Sequence, residues 1–497
     1  MVNKGLSIFG LDKLTRQMKR LLLIFVLISY QAVSQTVYQP HEVEKQATPV
    51  GGFSILNQFI FANIQVPFSA SVKGINSKIF VKGIVETDGS MTGLQVVKGI
   101  DSLCDQEAIR VLSLYKAWQP AVLKDVKVRQ AAVYHVSFLA PKNENFDSGL
   151  AGIVHYYNDK FLPVTDSKDF KYRSVMPVNE QGFIKDDISY EALKGDKWKR
   201  MSTIPFERNE FWKIIYGEPG VDSVQAYELS AKDRSETNYA PKIAFQKNGK
   251  ILLYREYSSA KKLLLKKDYY LSGMIKEVEN FEDSISTKIS WYRNGQIKSV
   301  IQNPPASFEV LQESRIVNAW EPDGTQNVKN GNGWWRYSGE ENNKLLTEEG
   351  AVNVGSKIGK WVGKLPDSTI YYVEQYENGL LKEGTCVVNG ENVSYKTKGF
   401  QPKFGDGMKS VYQFLGQNIK YPIDASRKGI SGVVLLSFTV CEDGSLCDYK
   451  LEKSVVKDID QEALRVVKKM DGKWKPGELR GQKVRVKYNL PINFMLF

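Results

Sequence analysis

The two ends of the chain are copies of one another. Asn63-Ile64-Gln65-Val66-Pro67 returns as Asn418-Ile419-Lys420-Tyr421-Pro422, an offset of 355 residues. The same offset carries Lys73-Gly74-Ile75 onto Lys428-Gly429-Ile430, and Asp88-Gly89-Ser90 onto Asp443-Gly444-Ser445. It also carries Asp105-Gln106-Glu107-Ala108 onto Asp460-Gln461-Glu462-Ala463. After one inserted residue, Trp118 maps on Trp474, Pro120 on Pro476 and Phe138 on Phe494. An offset held over this length means one small domain used twice, at 52–140 and 404–497. A chain of 497 residues has room for about three domains, so something else fills the middle.

The repeated unit reads as α+β. In the second copy, Val411 to Asn418 is a short helix ended by Tyr421-Pro422, because a residue before proline avoids the helical region. Ser431 to Cys441 alternates like a strand, with Val433, Leu435 and Ser437 on one face. Asp443-Gly444 makes a hairpin turn, and Leu446 to Leu451 is the return strand. Lys457 to Lys469 sets Ile459, Leu464, Val466 and Val467 at helical spacing, with Asp458 or Asp460 as its cap. Trp474 to Gly477 is a loop, and Lys483 to Phe494 a long last strand. The expectation is one helix packed on a three-stranded antiparallel sheet, with Trp118 and Trp474 plugging the interface.

Between the copies, residues 240–395 repeat a short unit: an aromatic, two or three polar residues, Gly, then an aliphatic followed by Lys. Tyr270 to Gly273 with Ile275-Lys276, and Tyr292 to Gly295 with Ile297-Lys298, are examples. Gly333-Trp334-Trp335 and Gly359-Lys360-Trp361 add a Gly-x-Trp element. Such a pattern predicts a chain of hairpins that must stack on their neighbours, since one hairpin alone is marginal. It is similar to MORN-type repeats. Residues 150–240 are expected to extend the same β region. The fold class is thus α+β: two small domains flanking a central all-β hairpin-repeat region.

The N-terminus reads as an address. Lys19-Arg20 precedes the apolar run Leu21 to Ile28, and Ala32-Val33-Ser34-Gln35 supplies small residues for cleavage after Ser34. Residues 1–34 are therefore expected to be a signal peptide, with Met18 an alternative start, and the rest periplasmic. The alternative is an uncleaved inner-membrane anchor facing the periplasm. Lys and Arg exceed Asp and Glu by 12, spread along the chain, which is no nucleic-acid signature by itself.

Chemistry is sparse. His41, His135 and His155 have no paired metal spacing, and no nucleophile elbow or phosphate loop is present. No catalytic residue, metal site or cofactor is expected, and the chain is not expected to be an enzyme. Cys441 and Cys447 flank the Asp443-Gly444 turn and are a candidate disulfide in an exported chain. The alternative is two strand residues on opposite faces, since one register step decides between them.

Asn-Ile-x-Tyr-Pro, the Asp-Gly-Ser turn, Asp-x-Glu-Ala-Leu, Trp-x-Pro-Gly and Leu490-Pro491-Ile492-Asn493-Phe494 together resemble the TonB C-terminal domain family. The first copy is degraded: Val66 replaces Tyr, and Tyr134-His135-Val136-Ser137 replaces the Leu-Pro-Ile motif. The resemblance implies binding of outer-membrane transporters or other envelope proteins by β-strand addition, in the service of energy-dependent transport. Carried over, the partner-binding edge is Val484, Arg485, Val486, Lys487, Tyr488, Asn489 and Leu490, with Arg485 and Lys487 suiting an acidic partner. Membrane association would come through partners or an uncleaved N-terminal segment. A conventional transducer has an N-terminal membrane helix and a Pro-rich spacer. This chain has 18 Pro and no Pro-rich run, which keeps a non-transducing scaffold or adaptor as the alternative.

Overall fold

The structure is a computed structural model describing residues 36–214, 223–231, 242–258, 262–282, 284–304, 313–341 and 344–495. The address at residues 1–34 lies outside them. By contacts the chain divides into two units, residues 1–60 with 76–139, and residues 61–75 with 140–497. Among the described residues no helix is long and apolar enough to cross a membrane.

The first unit is built on the strands Asn76–Val85, Met91–Lys98 and Val126–Leu139, with helix α1 (Ser102–Leu114) against them. Asp101 caps α1 by accepting from Leu103 and Cys104 N–H, which satisfies two donors the helix leaves free. Trp118 is 5% exposed and meets Phe53, Tyr115 and Tyr134 edge-on. The sheet carries one strand that the sequence did not announce. Val37–Tyr38 lies parallel to the last strand, opposite Arg129 and Gln130, on its outer edge.

In the second unit, Phe146 to Ile204 forms a six-stranded sheet of its own. Among the described residues, sixteen antiparallel strands follow, each paired to the next, from Phe206–Ile214 to Glu391–Tyr395. The expected continuity from residue 150 holds only in part: Phe206–Ile214 and Ser223–Ala231 belong to the array, but a break between sheets falls between Ile204 and Phe206. The hairpin chain itself is present. Tyr270 N–H donates to Met274 C=O and Gly273 N–H to Tyr270 C=O, and Tyr292 with Gly295 and Gln296 repeats the geometry. Gly273 and Gly295 have φ 85 and 87, which explains glycine three residues after the turn's first position. The Gly-x-Trp glycines, Gly333 and Gly359, take positive φ of 142 and 62. A second set of glycines in the array answers to aromatic rings. Gly350, Gly363 and Gly384 sit directly opposite Trp361, Tyr372 and Tyr395, whose rings lie across the bare glycine backbone.

The second copy ends the chain. Its sheet runs Leu446–Lys453, Gly432–Val440, Val486–Phe494. Two longer helices, α2 (Met408–Asn418) and α3 (Lys457–Lys468), and the short helix Ile423–Arg427 share one core with that sheet. One helix on the sheet is therefore an undercount. Trp474 sits in this core against Phe404, Phe438 and Tyr488, as its counterpart does in the first unit. Three finer expectations are corrected. The core face of Gly432–Val440 is Val434, Leu436, Phe438 and Val440, not the face of Val433 and Leu435. The residue capping α3 is Val456, and Asp460 instead accepts from Val455 N–H ahead of the helix. The last strand is not continuous from Lys483: Gln482–Val484 pairs back on Gly477–Leu479, and the sheet strand starts at Val486.

Candidate functional site: the open edge of the second copy

The candidate residues fall into two groups. Val484 belongs to the small hairpin, paired with Gly477, and Arg485 stands at the break. Val486, Lys487, Tyr488, Asn489 and Leu490 lie in the last strand, opposite Val440, Thr439, Phe438, Ser437 and Leu436. That pairing uses one edge of the strand. Its other edge has no strand partner among the described residues.

Side chains alternate along this strand. Tyr488 and Leu490 turn into the core, where the Tyr488 hydroxyl donates to Met408 Sδ at 2.9 Å. Lys487, Asn489, Pro491 and Asn493 are exposed. Pro491 orients the backbone. Proline has no N–H and is tolerated in an edge strand when that position faces away from the ladder. By the two-residue period, the N–H groups of Lys487 and Asn489 face the same open side. Asn493 N–H faces that side too, so Pro491 is a gap in the row of donors, and Lys487 and Asn489 are the unbroken run before it.

The cations beside this edge are already compensated. Arg485 Nη2 donates to Asp448 Oδ2 at 2.9 Å and to Cys447 Sγ at 3.2 Å. Lys487 Nζ donates to Glu452 Oε1 at 3.1 Å. Hydrogen bonds from Lys450 and Ser437, with a further one from Lys487, hold the Glu452 carboxyl down at about 2 despite burial. An acidic partner would compete with these carboxylates, so charge gives the edge little pull of its own. Cys441 and Cys447 carry free thiols here. They face each other closely enough for a hydrogen bond that pushes the Cys447 thiol up to about 12. The same two positions in the first copy hold Glu86 and Thr92, whose side chains are hydrogen-bonded, with Arg129 in the place of Arg485.

Other parts of the repeat are kept atom for atom. Gly89 and Gly444 have φ 83 and 85, and a Cβ on either would stand 2.6 Å and 2.2 Å from the carbonyl oxygens of Trp118 and Trp474. Glu107–Arg110 and Glu462–Arg465 are the same ion pair, each at 2.6 Å. Residues 63–139 and 417–496 both match the family described as Gram-negative bacterial TonB protein C-terminal. Each end of the chain carries a TonB C-terminal domain. Among solved structures, the NMR solution structure of the Helicobacter pylori TonB C-terminal domain is similar at 26% identity. The similarity covers 18% of this chain and 80% of that one, with a TM-score of 0.16. No curated protein matches as a relative. The twin TonB domains mark a TonB-like protein of the cell envelope.

The sequence did not reveal how the second TonB domain meets the hairpin array. Arg480, at the tip of the small hairpin, is 1% exposed and donates from Nε to Glu374 Oε1 at 2.8 Å. Its guanidinium lies 3.7 Å from the Tyr372 ring centre. Tyr395 and Tyr376 also donate to Glu374, at 2.8 Å and 2.9 Å. The array and the second TonB domain are thereby locked through a buried charged network.

Proposed function

We propose that the second TonB domain binds an extended segment of an envelope partner by strand addition along Val486–Leu490. The partners in this reading are the N-terminal segments of outer-membrane transporters. The observation that carries this reading is the unpaired outer edge of a strand whose other edge and inner face are fully used. Main-chain donors and acceptors supply affinity in such a mode, and side chains supply register. The protein acts by binding, without a catalytic step of its own. The array holds the domain in place, which also suits an adaptor that tethers envelope components without transducing energy. The Arg480–Glu374 lock favours that second reading, because it ties the domain to a broad sheet.

The test is titration of the full chain with synthetic N-terminal peptides of outer-membrane transporters. Saturable binding is expected. It should survive Lys487→Ala and Asn489→Ala, which keep the backbone donors, and fall at least ~10-fold with Lys487→Pro or Asn489→Pro, which remove them. Binding untouched by both proline variants, with the chain folded, would sink the proposal. Mass spectrometry of the mature N-terminus separates the two readings: a start at Gln35 favours the adaptor, and an intact start in the inner membrane favours the transducer.

A further inference from the structure

We infer that the first TonB domain has a second strand-addition edge, and that the chain's own N-terminal strand, Val37–Tyr38, occupies it. The inference rests on the strand-addition reading of the second domain and extends it to the first.

The two domains differ at one place that the repeat makes comparable. Arg129 and Gln130 correspond to Arg485 and Val486. Opposite Arg129 and Gln130 lies Val37–Tyr38, running parallel on the outer edge. Opposite Arg485 and Val486 the described residues supply no strand. Coverage follows: the Arg129 side chain is 22% exposed and that of Arg485 is 54%. Gln130 is 3% exposed, and its Oε1 accepts from Ala47 N–H at 2.9 Å.

The cause is topological. Both domains begin with a lead-in that runs along the small hairpin. In the first, Lys45 bridges Val122 and Thr48–Pro49 pairs with Trp118–Gln119. In the second, Gly399–Phe400 pairs with Glu478–Leu479 and Lys403–Phe404 with Trp474–Lys475. Upstream, the lead-ins part. In the second domain the preceding residues, Glu391–Tyr395, are spent as the last strand of the array. In the first they turn through Pro40–Glu42 and place Val37–Tyr38 on the edge. The segment is tethered a few residues from its seat, so it competes at high effective concentration with any free strand. A chain with two such domains therefore offers one open edge and one closed edge. An extended parallel segment that displaces Val37–Tyr38 would open the closed one.

Hydrogen–deuterium exchange tests this on the chain beginning at Gln35, on the same chain with Val37→Pro, and on one beginning at His41. The probe is a synthetic peptide of residues 35–42, Gln-Thr-Val-Tyr-Gln-Pro-His-Glu. In both altered chains, exchange around Arg129 should quicken ~10-fold or more, and the peptide should restore protection there. The unaltered chain should gain no protection around Arg129 from the peptide. Protection along Val486–Phe494 is read separately, so loss of the second-domain reading would not be mistaken for loss of this one. Unchanged exchange around Arg129 in both altered chains overturns the inference. So does a folded altered chain in which the peptide restores nothing.

Discussion

Arg480 occupies a backbone position that hairpins give to Asn or Gly, with φ 50 at the first centre of a two-residue turn. The left-handed conformation costs a non-glycine residue roughly 1–2 kcal/mol, and here the buried pair with Glu374 offsets it. Nothing local in the sequence distinguishes this Arg from the other basic residues, since its partner is 106 positions away. Arg480→Ala leaves Glu374 buried and unpaired. It should cost about 3–5 kcal/mol in chemical denaturation, and Glu374→Gln added to it should return part of that. A loss under about 0.5 kcal/mol would show that the pair is not the lock. Nearby, burial pushes the Glu313 carboxyl up, but the charges of Lys398 and Lys357, with a hydrogen bond from Lys398, outweigh it and hold it at about 2. A carboxyl lowered on folding stabilises above its unfolded value near 4.5 and loses that contribution as pH falls through the folded one. Stability should therefore drop between about pH 4.5 and 2, by ~3 kcal/mol from this group, and Glu313→Gln should flatten that limb. An unaltered acid limb in Glu313→Gln would contradict the assignment.

Elements were legible where one periodicity dominated. Helix α3 shows its apolar residues at helical spacing, and the structure buries Ile459, Val466 and Val467 as that spacing requires. The strand Gly432–Val440 misled because both faces are apolar: Val433 and Leu435 are half-covered while Val434 and Leu436 are buried. With Val433 and Leu435 on the half-covered face where polar residues would mark the outside, alternation carries little contrast. The open edge itself was readable from the resemblance, but its N-terminal limit was not, because the break at Arg485 comes from pairing of Gln482–Val484 with Gly477–Leu479. In the array the aromatics were visible as a pattern, while the glycines that their rings cover lay one strand away. A Cβ on Gly363 would come within 2.1 Å of the Tyr372 ring, and one on Gly350 within 2.4 Å of Trp361. Gly363→Ala and Gly350→Ala should each cost about 1–3 kcal/mol through overpacking. Gly390→Ala faces open space at φ 85, so it should cost only the backbone strain of about 1–2 kcal/mol. Thermal unfolding of the three variants compares them directly, and equal melting temperatures for Gly363→Ala and the parent would refute the aromatic cover.

At the scale of the molecule, duplication was the part of the architecture that the sequence stated most openly. What it hid was the use of the residues ahead of each lead-in, which supply an edge strand, Val37–Tyr38, to the first domain's sheet but the last strand of the array, Glu391–Tyr395, before the second. The sixteen-stranded sheet is nearly one-dimensional: each strand is held by its two neighbours and by clusters that recur along it. Its two ends are unequal. The Tyr395 end is fixed by Arg480 and by Gln482, which donates to Tyr371 and Cys386. The Phe206 end is a sheet edge whose outer strand, Phe206–Ile214, leaves Trp212 68% exposed. Opening should therefore begin at Phe206–Ile214 and fade toward the second TonB domain. Native-state hydrogen exchange should show protection rising from that strand to Ile370–Tyr395, by ~100-fold or more across the sheet. Arg480→Ala should erase much of the gain at the Tyr395 end while leaving the Phe206 end as it was. Uniform protection along the sheet in the parent chain would mean that it opens as one block, and that the second TonB domain adds no local anchoring.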